Sequence, residues 1–289
     1  MAKAQPSRDP TPPGVKAIDG IRVGVGGWTY APWRDNFYPK GLVQRRELEY
    51  ASRNVSSIEV NGTWYGAQKP ATYARWRDET PDGFVFSAKA PQRITMSRTL
   101  ANTGAQIDAF LGDIATLGDR LGPIVWQFER AADRGLDRED FAAFLALLPE
   151  RVEGRRIRHV LDVRVAGFIG TDYLALARRH RMATVFTDST EHPSFADLTT
   201  DFVYARLMRT RSEIATGYAD RDLKRWADRA RLWASGGEPS DLPRVDVARV
   251  DPSIAPRTAS RDVFVYFISG AKERNPSAAM ALLRKLGAV

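Results

Sequence analysis

Glu59, Lys89, Asp162 and Asp188 are the side chains of this sequence best suited to moving protons. Each sits at or just past the end of a short apolar run, as does Gln127. Side chains alternate direction along an extended strand. In Ser57-Ile58-Glu59-Val60-Asn61, Glu59 and Asn61 therefore share one face, and Ile58 and Val60 take the other. Asp162 and Arg164 stand in the same relation. In Phe202-Val203-Tyr204-Ala205-Arg206-Leu207-Met208, Tyr204, Arg206 and Met208 share a face. Three carboxylates beside a lysine and two arginines form an acid–base set. Nearby cations lower a carboxylate pKa and burial raises it, and sequence does not say which wins. The same residues also fit an internal salt-bridge network, for instance Glu59 with Lys89 and Asp162 with Arg206. Both readings stay open at this point.

Further residues suit binding rather than proton transfer. Arg206, Arg209 and Arg211 follow one apolar run closely, and Lys89 and Arg164 add positive charge. Together they favour a phosphate or carboxylate group. Trp28, Tyr30, Trp33, Trp64 and Tyr65 supply flat surfaces for stacking, or for packing a core. Gly26 and Gly27 precede this aromatic stretch, where a tight turn or a close ligand approach favours glycine.

These residues need a frame that brings strand ends together. The chain alternates apolar runs with amphipathic stretches eight times. Strands are predicted at 21–27, 56–61, 83–88, 122–128, 157–163, 183–188, 201–207 and 263–268. Helices are predicted at 43–53, 70–79, 104–118, 137–149, 171–181, 220–234 and 276–286, with a poorly defined turn near 193–198. Such alternation argues for parallel pairing through βαβ units. Eight units point to a single α/β domain, a (β/α)8 TIM-type barrel, with an open doubly wound sheet as the alternative. Polar residues at C-terminal strand ends are the usual working groups of such barrels. Residues 1–19, rich in proline and polar side chains, read as a disordered lead-in. The barrel then spans 20–289. It is interrupted at about 236–260 by an irregular, proline-rich insertion on its N-terminal face, containing Pro239, Pro243, Pro252 and Pro256.

Composition narrows the chemistry. The 289 residues contain no cysteine, which excludes disulfides, thiolate metal sites and thiol nucleophiles. The three histidines, His159, His180 and His192, are too few and too scattered for a multi-histidine zinc centre. No bound cofactor is expected. A Mg²⁺ ion held by Glu59, Asp162 and Asp188 is the one metal alternative the residues offer. No G-x-S-x-G elbow or P-loop is present. There is no apolar stretch long enough for a membrane span and no secretory h-region, which fits a cytoplasmic protein. The net charge of +8 invites nucleic acid as a partner. Against that, much of the basic charge is scattered through helices, as in Arg221-Asp222-Leu223-Lys224-Arg225.

The motifs, taken together, resemble those of the YecE-like family, domain-of-unknown-function family 72. Gly27, Trp28, Tyr30 and Trp33 fit its first motif, and Glu59, Asn61, Thr63 and Tyr65 its second. Trp76, Thr80-Pro81, Phe84, Phe86, Lys89 and Pro91 resemble a third. Leu121-Gly122-Pro123 with Gln127, and Asp201 to Leu207, resemble two more. The resemblance implies the same barrel over nearly the whole chain after residue 20. It also exposes departures. Met96, Val165 and Met208 stand where that family usually has histidine, and Phe267-Ile268-Ser269 stands for its F-N-N.

Three functions follow as expectations. One is an enzyme acting on a small anionic or phosphorylated ligand at the barrel mouth, by carboxylate, lysine and arginine acid–base chemistry. The second is a nucleic-acid-binding or nuclease-like barrel. The third is a non-catalytic member that has lost its site histidines.

Overall fold

Eight short runs rich in Val, Ile, Phe and Ala form the strands β1 (Ile21–Gly26), β2 (Ser57–Val60), β3 (Val85–Lys89), β4 (Leu121–Phe128), β5 (His159–Val163), β6 (Ala183–Thr187), β7 (Phe202–Leu207) and β8 (Asp262–Phe267). In the computed structural model, which describes residues 14–129, 135–246 and 260–288, they close into one parallel barrel. Closure comes from β8, which pairs with β1 from Ile21↔Val263 to Val25↔Phe267. The helices α1 (Glu47–Asn54), α2 (Pro70–Glu79), α3 (Gln92–Thr95), α4 (Gly104–Ala115), α5 (Arg138–Leu147), α6 (Thr171–Arg179), α7 (Asp220–Ala234) and α8 (Asn275–Leu286) complete the α/β architecture.

Period-two alternation divides the apolar residues between two cores. Val23, Val25, Ile58, Phe86, Trp126, Leu161, Phe186, Val203 and Phe267 point outward and pack with the helices. Val85, Val125, Val160, Val185, Phe202, Tyr204, Phe264 and Tyr266 fill the interior. At the N-terminal end the interior is closed by ions, with Arg158 and Arg22 both on Asp262. The Tyr204 and Tyr266 rings form the middle of the plug, their centroids 5.1 Å apart. The mouth lies above them.

Two glycines let β1 fit. A Cβ on Gly24 would lie 2.0 Å from the Ser57 carbonyl oxygen, so no larger residue allows β1 and β2 this approach. Gly27 has φ +73°, a left-handed turn that releases the chain from the strand. The aromatic loop that follows folds onto the helix layer. Trp33 is fully buried, its indole N–H donates to the Lys272 carbonyl at 2.9 Å, and its ring meets Phe37 and Tyr38.

The predicted elements match closely; α3 is not among the predicted helices, and three further differences shape the surroundings of the barrel. No helix follows β6. Asp197 instead accepts hydrogen bonds from the amides of Val245 and Asp246 at 2.8 and 3.0 Å, and Ala196 N donates to the Pro243 carbonyl at 2.8 Å. Residues 188–201 thus form a loop tied to the segment after α7, and the two cover the flank where a helix would sit. The described beginning of the insertion starts beside Arg261 at the foot of β8, where the Gly237 carbonyl accepts from the Arg261 guanidinium at 2.9 Å, and then runs along the β6 flank. Residues 247–259 lie outside the described residues. Second, Arg151–Val152 and Arg155–Arg156 form a short antiparallel ribbon before β5, turned by Glu153 and Gly154 at positive φ. Third, residues 14–19 of the expected lead-in pack on the barrel. Val15 is buried, and Ile18 bridges to Ile21. Residues 1–13 lie outside the described residues.

Candidate functional site at the barrel mouth

Arg206, next to last in β7, is the hub of the mouth. It is buried, and its Nε and Nη2 donate to the two oxygens of Glu59 at 2.8 and 3.0 Å. Its Nη1 donates to Asp162 at 2.5 Å. One guanidinium thus closes the barrel across β2, β5 and β7. The fork geometry matches a bidentate carboxylate contact. Glu59 is held from below as well, by the Tyr204 hydroxyl at 2.5 Å, which itself meets Ser87 Oγ at 2.7 Å. A second buried hydroxyl pair, Ser57 with Tyr266 at 2.7 Å, lies beside it.

From Asp162 the network runs outward. Arg164 reaches Asp162 and Glu129, each at 3.3 Å, and Gln127 Nε2 donates to Glu129 at 2.8 Å. Burial pushes the Asp162 carboxyl up, but the charges of Arg206, Arg164 and Lys89 outweigh it and hold it below the usual range. Arg206 is likewise kept charged: burial works against it, and Glu59 and Asp162 prevail.

Lys89 differs from the arginines. It ends β3 nearly buried, with its ammonium 4.5 Å from the centre of the Trp64 ring. Thr63 fixes the strand end by donating to the Lys89 carbonyl at 2.7 Å. Among the described residues no carboxylate reaches ion-pairing distance of its amine. Burial, with Arg206 second, lowers its pKa to about 8, against the pull of Glu59 and Asp162. The anticipated Glu59–Lys89 pair is thus replaced by Glu59–Arg206. A planar fork satisfies both oxygens of one carboxylate, and a point ammonium cannot. Gln127 supplies a second unused group. Its side-chain carbonyl oxygen is buried and has no donor among the described residues.

The remaining candidates lie elsewhere. Asn61 is half-buried over the mouth edge, beside Gly26, where an added Cβ would come within 2.8 Å of its Nδ2. Tyr65 stands on the rim, 81% exposed. Trp28 turns away from the mouth and packs edge-on against Trp76 of α2 at 5.0 Å. Tyr30 is half-buried between Trp33 and the Lys272 ammonium. Arg209 is exposed outside the barrel. Asp188 faces it there, receiving Met208 N at 2.6 Å and the Tyr218 hydroxyl at 2.7 Å. Burial raises the Asp188 carboxyl pKa, these donors and Arg209 opposing it. Glu59, Asp162 and Asp188 therefore do not converge. Among the described residues no three metal-binding side chains do. His159 sits at the start of β5, its Nδ1 accepting from the Trp126 indole at 3.0 Å and its Nε2 on the Pro149 carbonyl at 2.8 Å. Burial lowers its pKa to about 4.

Sequence reasoning passed over Tyr204, Tyr266, Ser57 and Ser87 as site residues. Parity held the signal for all four, because they lie two positions before mouth residues or share their face. Glu129 and Tyr218 come from loops, where alternation says nothing; Trp64, expected as a stacking surface, meets the Lys89 ammonium.

Comparison with known proteins agrees with this architecture. UPF0759 protein YecE of Escherichia coli (strain K12) is 29% identical over 102 residues, 35% of each chain. UPF0759 protein YunF of Bacillus subtilis (strain 168) is 29% identical over 75 residues, 26% of each chain. The chain thus aligns with about a third or less of these relatives' length. A crystal structure of a DUF72 family protein (TM1631) from Thermotoga maritima MSB8 superposes with TM-score 0.66 at 17% identity, covering 92% of this chain and 98% of that one. A second DUF72 family protein, EF0366 from Enterococcus faecalis V583, gives TM-score 0.62 at 14% identity, covering 92% and 95%. A family model described as "Protein of unknown function DUF72" matches residues 22–289, and the chain belongs to that family.

Proposed function

We propose that the mouth binds a small anionic ligand and acts on it by acid–base chemistry, with Lys89 carrying the proton. The observation behind this reading is a nearly buried lysine that no carboxylate neutralises among the described residues. With a pKa of about 8 its amine exists in both forms near neutrality, the condition for an effective general acid or base. Arg164, more open than Arg206, is the nearest cation for the ligand's charge. The orphan oxygen of Gln127 suits a ligand N–H or O–H group. Glu59, Asp162 and Arg206 hold the frame and its charge balance. Binding without turnover is the second reading. It rests on Met96, Val165 and Met208 at positions where histidine was expected.

The test is a thermal-shift screen of phosphorylated and carboxylated metabolites, followed by titration of hits with Lys89→Met and Arg164→Ala. Binding is expected to weaken ~10-fold or more in either variant, the scale of a lost charged hydrogen bond. The wild-type affinity should hold below pH 8 and fall as Lys89 loses its proton above it. An anion whose binding ignores both substitutions would refute the reading. Substrate conversion by the wild type but not by Lys89→Met would decide for an enzyme over a binder.

A further inference from the structure

The absence of a helix after β6 leaves a second, separate concavity. It is a groove of about 480 Å³ between the end of β6, the loop after β7 and the outer face of α7, with Leu242 and Pro243 as its far wall. Arg209, Arg211, Arg221, Arg225 and Arg229 all line it, against two aspartates, Asp188 and Asp222. Phe186, Tyr218 and Trp226 also line it.

The arginines are not equally committed. Arg229 lies over the Trp226 ring at 4.3 Å and donates to Asp241 at 2.6 Å, which fixes its plane. Arg211 and Arg221 make loose, exposed contacts at 3.6 and 3.7 Å with Glu213 and Asp222. Such pairs contribute little and exchange readily. Arg209 and Arg225 form no ion pair among the described residues, and both are exposed. Of the two lining carboxylates, Asp188 already receives a donor on each oxygen, Met208 N and Tyr218 OH.

We infer that this groove is a binding site for a diphosphate group, carried by a small phosphorylated ligand or free as pyrophosphate. A diphosphate presents several acceptor oxygens on adjacent phosphorus atoms, so two guanidiniums engage it at once, each in fork geometry. A single phosphate or sulfate engages fewer of them. Arg229 is taken by Asp241, and Arg211 and Arg221 are held only loosely by Glu213 and Asp222, so Arg209 and Arg225 bring to the groove two cations without an ion pair among the described residues, as two adjacent phosphates require. This inference is independent of the mouth reading, because none of the mouth residues lines the groove.

Calorimetric titration of the full chain at 150 mM salt tests it, with pyrophosphate, ADP and sulfate as probes. Pyrophosphate should bind at least ~10-fold tighter than sulfate, as bidentate arginine contacts require. Arg209→Ala and Arg225→Ala should each weaken pyrophosphate ~5-fold or more, with melting temperatures unchanged because both side chains are exposed. Arg155→Ala, on the ribbon before β5 and outside both sites, should leave it unchanged. Comparable affinity for ADP would place the diphosphate on a larger ligand, and pyrophosphate tighter than ADP would favour the free ion. Equal binding of sulfate and pyrophosphate, or indifference to both groove substitutions, would overturn the inference. Loss of binding in Arg164→Ala alone would assign the anion to the mouth instead.

Discussion

Arg206 illustrates how position, not residue type, decides what a charge does. Its place after β7 suggested an anion-binding arginine, yet its guanidinium is spent on Glu59 and Asp162. Desolvating three ionised groups is costly and only their mutual contacts offset it, so the trio acts as one unit. Arg206→Ala would leave buried Glu59 with only the Tyr204 hydroxyl and Asp162 with only Arg164 at 3.3 Å. The expected loss is about 3–5 kcal/mol of unfolding free energy in denaturant titration at pH 7, the scale for breaking a buried pair. The loss should shrink toward acid pH, where Asp162 takes up a proton. The sign follows from Asp162. Its folded pKa is depressed by Arg206, so the stability that it contributes is present above the unfolded value and disappears as pH falls through the folded one. A variant as stable as wild type at pH 7 would show that the trio contributes no net stability.

At the scale of elements, the barrel depends on close strand approach where β1 meets β2. Gly24→Ala would drive a methyl group to 2.0 Å from the Ser57 carbonyl oxygen and 2.6 Å from its carbon, both backbone atoms that cannot swing aside. Gly62→Ala meets nothing within 4 Å and has an ordinary φ. The first should cost ~3 kcal/mol or more, or prevent folding, and the second less than ~0.5 kcal/mol, the ordinary range of surface changes. Equal melting curves for the two would contradict the role given to Gly24. Much of this frame was legible in the chain. Runs such as Phe202 to Leu207 carry strand residues with strict alternation, so both the strand and the inward face of Tyr204 and Arg206 could be read directly. The partner of Glu59 was not legible. Lys89 and Arg206 share the inward face, and only three-dimensional reach selects the arginine. Loops hid the rest. Trp28 turns toward α2 because Gly27 redirects the chain, and the β6 flank is built by Asp197 capping amides 48 and 49 residues away. Local pattern does not encode such long-range closures.

For the whole molecule, the question is whether a net charge of +8 makes a nucleic-acid surface. Binding a duplex requires cations arranged along one face at phosphate spacing. Among the described residues the basic side chains are dispersed, and many are paired with carboxylates. Arg155 and Arg156 lie on the ribbon with Asp119 and Asp201, Arg120 pairs with Asp82, Arg178 with Asp246, and Arg244 with Glu238. Arg158 and Arg22 are spent inside the barrel floor on Asp262. The groove beside α7 gathers five arginines, and it is only about 480 Å³ in volume. It accommodates one or two phosphates, not a backbone. Duplex DNA and RNA should therefore bind weakly, with affinity falling only gently as salt rises. Each neutralised phosphate adds about 0.9 to the slope of log K against log salt for a duplex. Two contacts at the groove predict a slope of magnitude ~2, measured by fluorescence anisotropy between 50 and 200 mM salt. A slope of ~6 or steeper would require a continuous basic track that the ion pairs do not leave open, and would restore nucleic acid as the partner. Weak binding abolished by Arg209→Ala with Arg225→Ala would instead trace it to the same groove that takes the diphosphate.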